Sequence, residues 1–314
     1  MPNYQGVWSL STHYQNRTGW PQPPAIALFG GGNGNSNVIQ QIIIGTSGDA
    51  TDFGDLTAGG EVSAACGSST RGVWLGGERS TVSNTIDFVT FSSAGNAQDF
   101  GDLSATTRLN AAHSNETRGV VGGGIVSSRT DTIEYITIAS AGNASDFGNL
   151  LAVKNSIGST SSPTRGLFAG GFGPSAKSDV IEYITIASTG NATDFGNLLA
   201  ATSNYPAGAA SNTRALFAGG NSGAKINVIQ YVTIASVGNA LDFGDLTIAV
   251  SDGASNSSKI LATFAGGFDA SDSGRGNQID KVTISSTGNA SDFGDLIAEV
   301  SNFSGCSNAH GGLA

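Results

Sequence analysis

Asp194-Phe195-Gly196-Asn197-Leu198, preceded by Gly190-Asn191-Ala192, is the stretch that decides the fold of this chain, because it recurs six times. The phrase Asp-Phe-Gly-(Asp/Asn)-Leu begins at Asp52, Asp99, Asp146, Asp194, Asp242 and Asp292, at intervals of 47, 47, 48, 48 and 50 residues. A pair of glycines keeps the same period, from Gly31-Gly32 to Gly266-Gly267. Two landmarks in phase over most of the chain indicate one supersecondary unit used six times.

Each unit contains four short segments typical of β-strands. In the unit that holds the fourth phrase, residues 165–171 form an apolar run ended by glycines, and residues 179–186 are rich in β-branched and aromatic side chains. The turn dipeptide Gly190-Asn191 separates this run from the phrase, and Gly and Asn both tolerate the positive φ of tight turns. A small-residue segment such as residues 111–118 precedes each unit. We therefore predict an all-β, six-bladed β-propeller with four-stranded antiparallel blades over residues 25–314.

The two ends of the repeat region complement each other. The first unit begins at residues 26–32, which match a second strand, and the chain ends with residues 302–309, which match a first strand. We expect the C-terminal strand to pair with the N-terminal blade as its innermost strand, which closes the ring and removes two exposed edges.

The units resemble the kelch repeat in their order of segments: a small-residue strand, a glycine pair, a strand such as residues 133–138, and an aromatic residue in the fourth strand. That aromatic is Phe147 and its counterparts, where kelch blades usually carry Trp. The repeated motif Gly-Asn-Ala-x-Asp-Phe-Gly-Asp-Leu more closely resembles the repeats of kelch-like structural proteins of tailed bacteriophages, especially those of cyanobacterial and other marine hosts. The resemblance implies a virion component of the tail, a fibre or another exterior assembly.

Composition excludes several partner classes. The formal net charge is −10, and the 14 Lys and Arg residues are scattered, which argues against a nucleic-acid partner. No apolar run reaches membrane-spanning length, so we expect no membrane insertion. Cys66 and Cys306 fall at about the same place in neighbouring units, where we expect them to be free and buried, because equivalent positions stand too far apart for a disulfide.

No set of residues predicts catalysis. The three histidines, His13, His113 and His310, occupy unrelated places in the repeat, and no catalytic triad or zinc spacing is present. Carboxylate pairs such as Asp52 and Asp55 recur in every unit, which marks them as scaffold. We expect no enzyme activity, no cofactor and no metal, with Ca²⁺ held by the shared loop of Asp269 and Asp272 as an open alternative.

Residues 1–24 lie outside the repeat. They contain Tyr4, Trp8, Tyr14 and Trp20 followed by prolines. Aromatic side chains dominate interface energetics, so we interpret this segment as an arm that docks onto other virion proteins. The alternative is that the arm folds back over one face of the propeller.

Antiparallel strands place the connections alternately on two rims. The turn rim holds the first-to-second loops and the Gly-Asn turns, which hardly vary. The variable rim holds the second-to-third and fourth-to-first connections, which differ from unit to unit. Because binding residues concentrate on loops carried by rigid scaffolds, the variable rim is the candidate ligand surface, with neutral drift as the alternative. Its candidate residues are Arg79, the serine of the Pro174-Ser175 pair, Lys177, Tyr205, Asp269, Asp272, Arg275 and Phe303.

Four units open the second strand with arginine, at Arg71, Arg118, Arg165 and Arg214. Contact with the repeated aspartate and a ring that binds an anion are two alternatives for them.

These observations predict a non-enzymatic virion structural protein, located on the exterior or tail of the particle. Residues 1–24 attach it to other virion proteins, and the variable rim contacts host-surface polysaccharide. We expect it to be oligomeric within the virion. The alternative is a stand-alone, lectin-like carbohydrate-binding propeller that uses rim residues such as Tyr205 and Phe303.

Overall fold

The computed structural model describes residues 24–61, 63–204, 207–270 and 274–313. Across these residues the chain forms 25 β-strands and six small antiparallel sheets, and no segment of them is helical. Accordingly, no helix in the described ranges has the length and apolar character of a membrane span.

The strands fall into four positions that repeat around the ring. The first, innermost strands are β4 (Ala64–Gly67), β8 (Ala111–Ser114), β12 (Gly158–Ser161), β16 (Ala207–Ala210), β20 (Ala254–Ser257) and β25 (Ser304–Ser307). The second strands are β1 (Ile26–Gly30), β5 (Arg71–Leu75), β9 (Arg118–Gly122), β13 (Arg165–Ala169), β17 (Arg214–Ala218) and β21 (Leu261–Ala265). The third strands are β2 (Val38–Ile43), β6 (Thr85–Thr90), β10 (Thr132–Thr137), β14 (Val180–Thr185), β18 (Ile226–Thr233) and β23 (Gln278–Thr283). The fourth strands are β3 (Thr51–Asp55), β7 (Gln98–Asp102), β11 (Ser145–Asn149), β15 (Thr193–Asn197), β19 (Leu241–Ser251) and β24 (Ser291–Asp295).

The sheets confirm the predicted six-bladed β-propeller. Blade 1 has the order β25-β1-β2-β3, and blades 2, 3 and 4 contain β4 to β7, β8 to β11 and β12 to β15. Blade 5 contains β16 to β19 and adds β22 (Phe268–Asp269), and blade 6 contains β20, β21, β23 and β24. Each innermost strand contacts the innermost strands of both neighbouring blades, so the six surround a central channel.

The ring closes as the two ends of the sequence predict. β25 pairs antiparallel with β1, with Ala27 opposite Ser307 and Gly30 opposite Ser304. Ile26 N also donates to Asn308 Oδ1 at 2.8 Å. The C-terminal strand is therefore the innermost strand of the blade whose other three strands come from the N-terminal end of the repeat.

The core lies between blades rather than within them. Each phenylalanine of the repeated phrase is buried, as Phe53, Phe100, Phe147, Phe195, Phe243 and Phe293. Phe147 of blade 3, for example, shares a buried cluster with Phe168 and Ile184 of blade 4. Both faces of each sheet are thus covered, which agrees with third strands that carry apolar residues on both faces.

A backbone joint, which we call the turn joint, connects the Gly-Asn-Ala turn of each blade to the repeated phrase of the preceding blade. Between blades 1 and 2, Gly95 N donates to Phe53 O at 2.8 Å and Ala97 N donates to Asp55 O at 2.7 Å. Asp55 N in return donates to Asn96 Oδ1 at 3.1 Å. A Cβ atom added to Gly54 would lie 2.4 Å from the carbonyl oxygen of Gly95, so the approach requires glycine there.

The turn joint corrects our interpretation of the Gly-Asn dipeptide. The glycines of the turns at Gly48, Gly95, Gly190 and Gly288 do adopt positive φ, whereas the asparagines are not among the non-glycine residues with positive φ. The boundary between two neighbouring blades is called a seam here. In five seams the asparagine side chain accepts a backbone hydrogen bond from the neighbouring blade, and Asp49 takes that role where blade 1 meets blade 6.

A second joint, which we call the polar joint, lies nearer the variable rim. Each third strand carries one buried polar side chain that accepts a hydrogen bond from the backbone N–H following the phrase of the preceding blade. These acceptors are Gln40, Asp87, Glu134, Glu182, Gln230 and Asp280. The donor-to-acceptor distances run from 2.6 Å for Leu151 N with Glu182 to 3.3 Å for Thr57 N with Asp87.

The four arginines form a third joint. Arg118 stacks on Tyr135 of its own blade at 4.3 Å and donates to Ile186 O of the next blade at 2.7 Å. Arg71, Arg165 and Arg214 repeat this arrangement. Blades 1 and 6 lack the aromatic as well as the arginine, since Gln41 and Lys281 stand at the aromatic position. The arginines therefore clamp neighbouring blades.

The seams are also matched in side-chain size. The third residue of an innermost strand packs against the second residue of the next blade's second strand. A Cβ atom added to Gly72 or Gly119 would lie 2.8 Å from Cys306 Sγ or Cys66 Sγ, and one added to Gly166 would lie 1.7 Å from His113 Nε2. Blade 6 carries Ala262 at this position, where blade 5 supplies the small side chain of Ala209.

We expect deletion of residues 300–314 to open the ring, because it removes β25 and leaves β1 as an exposed edge. The melting temperature should fall by about 10 °C or more. Differential scanning calorimetry measures the change. Deletion of residues 310–314 alone, which keeps β25, is the control and should cost less, and equal losses would show that strand pairing does not hold the ring closed.

Substitution of Asn143 by Ala should lower the free energy of unfolding by about 1 kcal/mol, because Asp102 N loses its acceptor. Asn143→Asp keeps an acceptor oxygen, as Asp49 does naturally in blade 1, and should retain most of the stability. Urea unfolding compares the two variants. If both lose the same free energy, the side-chain oxygen is not what the turn joint needs.

Candidate functional site

The variable rim holds the candidate ligand residues, and the structure gives two of them structural roles. Arg79 Nη2 lies 2.8 Å from Asp87 Oδ2, whose side chain is fully buried, and Arg79 Nη1 donates to Thr57 Oγ1 at 3.0 Å. Lys177 Nζ donates to Asn221 Oδ1 in the next blade. Both side chains therefore hold neighbouring loops together.

Lys177 belongs to a series of basic residues that connect successive loops of the variable rim. Arg129 of blade 3 donates to Asn155 Oδ1 at 2.8 Å and stacks on Phe172 of blade 4 at 4.6 Å. Lys225 of blade 5 donates to Asp269 O of blade 6 at 2.7 Å. The loops differ in sequence, but their contacts are equivalent, so they do not vary without constraint.

The prediction that Phe303 lies on the ligand surface of the variable rim is wrong. Its side chain is 6% exposed and lies 5.9 Å from Phe29, ring centre to ring centre, within the cluster between blades 6 and 1. It precedes β25 and anchors the closing strand. Phe303 therefore belongs to the core and not to a ligand surface.

The remaining candidates divide into three groups. Pro174 and Ser175 are exposed at the tip of their loop. Tyr205, Asp272 and the arm residues Tyr4, Trp8, Tyr14 and Trp20 lie outside the described residues. Asp269 and Arg275 line one groove.

That groove, which we call the 5–6 groove, opens on the variable rim between blades 5 and 6. Its walls include the apolar residues Leu246, Ile248 and Phe264. Its charged residues are Asp269, Arg275, Asp280 and Glu299, and Gln278 and Thr247 add neutral polar groups. A concave surface that combines an apolar wall with a few polar groups is typical of small-ligand sites.

Local departures from the repeat create the 5–6 groove. β19 continues for 11 residues, to Ser251, whereas the other fourth strands end after five. Val250 and Ser251 pair with Asp269 and Phe268 of β22, which joins blade 5 to the loop of blade 6. Arg275 lies over Phe268, 5.7 Å from its ring centre.

Asp280 is the buried acid of the 5–6 groove. Its carboxylate accepts from Thr247 N and Thr247 Oγ1, each at 2.8 Å, and from Gln278 Nε2 at 3.3 Å. Burial raises the pKa of Asp280, and the nearby charge of Asp292 raises it further, whereas the hydrogen bonds from Thr247 lower it. The ion pairs of the described residues are Arg79–Asp87, Arg108–Glu78 and Lys154–Glu182, so none of these pairs neutralises Asp280.

The central channel contains two further cavities. The C-terminal residues cover the channel at the turn rim: Gly311 N donates to Ala210 O at 3.0 Å, and His310 Nε2 donates to Gly67 O at 2.9 Å. Gly312 N donates to His310 Nδ1 at 3.1 Å, which fixes the neutral ring. Small side chains such as Ala65 and Ser159 line much of the channel wall.

The channel end near the turn rim holds both cysteines and two histidines. Cys66 and Cys306 are free and buried, as the sequence predicts. Burial raises the pKa of the Cys66 thiol to about 12 and raises that of Cys306 as well, so neither is a ready nucleophile. Burial lowers the pKa of His113 to about 3, with a smaller contribution from His310.

A fourth cavity lies on the turn rim of blade 6, at the position where Leu261 and Lys281 replace the arginine and aromatic of blades 2 to 5. As for metal ions, the described ranges contain no group of three or more His, Cys, Asp or Glu side chains arranged to hold one.

The buried acceptor residues of the polar joints were not identified from the sequence. A recurring dipeptide signals them, since isoleucine is followed by Gln, Asp or Glu at Ile39, Ile86, Ile133, Ile181, Ile229 and Ile279. Such a polar residue at a fixed place in an apolar strand has to find a partner when it is buried.

Comparison with known proteins adds no relative: no protein-family model matches the chain, and no curated protein is significantly similar to it. The assignment to a virion and the kelch-like resemblance therefore remain proposals.

Acid should destabilise the protein partly through His113. The unfolded chain takes up a proton below its ordinary pKa of 6.5, while the buried ring stays neutral until about 3. The free energy of unfolding therefore falls as the pH drops through this window, by about 1.4 kcal/mol per pH unit at most.

His113→Thr, which copies Thr160 of blade 4, should remove that part of the pH dependence. Urea unfolding at pH 7 and pH 4.5 measures it, and the loss on acidification should be about 2 kcal/mol smaller for the variant. The His310 and carboxylate contributions are common to both proteins and cancel in the comparison. An identical loss in both proteins would contradict a neutral buried His113.

Proposed function

We propose that this protein is a non-enzymatic structural component of the exterior of a tailed-phage virion. Residues 1–24 attach it to other virion proteins, and the variable rim faces the host surface. The resemblance of the repeated wording to kelch-like phage structural proteins supports the viral part of the proposal.

The non-enzymatic part of the proposal is supported by the contacts that the recurring polar residues make. The turn asparagines, the third-strand acids and amides, and the arginines all bind a neighbouring blade. Residues that recur at equivalent positions in four to six blades are thereby committed to holding the ring together. A scaffold of this kind suits a protein that must remain assembled outside a cell.

A second candidate function is carbohydrate binding by the isolated propeller. The 5–6 groove favours it, because apolar walls at Leu246 and Phe264 stand beside hydrogen-bonding groups of Asn277 and Gln278. The two functions are compatible when a virion component binds surface polysaccharide.

Removal of residues 1–23 should leave a folded propeller that no longer enters virus particles. This truncation keeps Pro24, whose carbonyl oxygen accepts from Asn308 Nδ2 at 3.2 Å, so ring closure is preserved. Calorimetry tests folding, and mass spectrometry of purified particles tests incorporation. Normal incorporation of the truncated protein would refute attachment through the arm.

Binding to a glycan array by the isolated protein should be confined to the variable rim. Asn277→Ala and Gln278→Ala should weaken any saturable signal, whereas Ser92→Ala, at an exposed position of the turn rim, is the control. Saturable binding that all three variants retain would place the sugar site elsewhere.

A further inference from the structure

The polar joints provide an internal comparison among six equivalent sites. Two are occupied by glutamine, Gln40 and Gln230, and four by acids, Asp87, Glu134, Glu182 and Asp280. A buried carboxylate is costly unless a cation or sufficient hydrogen bonds accompany it. Glu134 is satisfied by a hydrogen bond from Ser104 N at 2.9 Å and has no ion pair among the described residues, whereas two other acids show which cations the fold can place beside such a group.

Two of these acids have a cation supplied by the chain itself. Arg79 Nη2 lies 2.8 Å from Asp87 Oδ2, reaching it from the second-to-third loop of the same blade. Lys154 Nζ lies 2.5 Å from Glu182 Oε1, reaching it from the fourth-to-first connection of the preceding blade. The three side chains Asp87, Lys154 and Glu182 are at most 3% exposed, so these are desolvated ion pairs.

The seam between blades 5 and 6 has no cation at the positions equivalent to Arg79 and Lys154. Phe268 takes the place of Glu78 in the loop bridges, so Asp269 stands where blade 2 has Arg79. Val250 of blade 5 stands at the position that Lys154 occupies in blade 3. Each is the fourth residue after the leucine of its phrase. The space beside Asp280 is the 5–6 groove, and of the four cavities described above it alone contains one of these acids.

We propose that the 5–6 groove binds an alkylammonium or alkylguanidinium group from a ligand, with the Asp280 carboxylate as its counter-ion. The ligand cation takes the place that Arg79 and Lys154 occupy in the equivalent seams. Asp269 and Glu299 leave the groove with three carboxylates and one guanidinium, that of Arg275. Leu246, Ile248 and Phe264 receive the methylene stem, as apolar surfaces do for lysine and arginine side chains.

This inference deepens the proposed role of the variable rim, on which it rests, but its test uses isolated protein and no virus particles. Failure of particle incorporation and failure of cation binding are therefore separate results.

The test is titration of the full chain with butylammonium and butylguanidinium chloride, monitored by NMR, with butanol as the neutral control. We expect saturable shifts with millimolar affinity for the cations and none for butanol. Asp280→Asn should weaken cation binding at least tenfold. This variant should fold, because Gln40 and Gln230 show that the joint accepts a neutral amide.

Two further variants use the other blades as templates. Asp269→Arg should rebuild the Arg79–Asp87 pair in blade 6, raise the melting temperature and abolish cation binding. Arg79→Ala should lower the melting temperature, and butylguanidinium should restore part of the loss by occupying the vacated place beside Asp87.

Cation binding unchanged by Asp280→Asn, binding of butanol equal to that of the cations, or no binding by the unmodified protein would each overturn the proposal. To learn whether the ammonium group comes from a protein or a carbohydrate, we would compare the binding of the peptide Lys-Gly-Gly with that of an oligomer of glucosamine. The two carry the ammonium on different stems. The tighter binder identifies a protein or a carbohydrate ligand, and a neutral sugar that displaces neither would support the groove as a cation site.

Discussion

The turn joint is the interaction on which the rest of the structure depends. In each seam, two backbone N–H groups of the Gly-Asn-Ala turn and one side-chain oxygen bind the Phe-Gly-Asp backbone of the preceding blade. A sheet of four strands has exposed polar edges, and this joint satisfies part of the outer edge while it fixes the angle between blades. It explains why the phrase is nearly invariant: phenylalanine fills the core, glycine permits the approach, and the leucine after it is buried.

The period of the phrase predicts blade number, strand order and ring closure, because those follow from hydrophobic pattern and turn chemistry. Contacts between blades are less accessible to sequence reasoning, since most of them join residues about 30 to 70 positions apart. Arg79 and Lys177 look like free loop residues until the neighbouring loop is seen. Phe303 looks like a rim aromatic because it follows a turn, yet it fills the last gap of the closing seam. The position of the 5–6 groove depends on β19 running past the usual end of a fourth strand, which no turn signal announces.

The two rims divide the work of the molecule. The turn rim carries the six turn joints and the C-terminal residues that cover the channel. The variable rim also carries joints, but it alone contains a seam in which a buried acid faces a groove without an ion-pair partner in the described part of the chain. The seam between blades 5 and 6 thus keeps its turn joint and its polar joint and also leaves a groove open on the rim.

Size matching across the seams has a consequence for how this ring can change over evolutionary time. His113 fits only because Gly166 has no side chain, and each cysteine likewise faces a glycine of the following blade. A copy of blade 3 would therefore fit in front of a blade that carries glycine at this position, as blades 2, 3 and 4 do, but its histidine would meet Ala215 or Ala262 in front of blade 5 or 6. Where the ring can gain a blade thus depends on the residue that the following blade presents to the innermost strand.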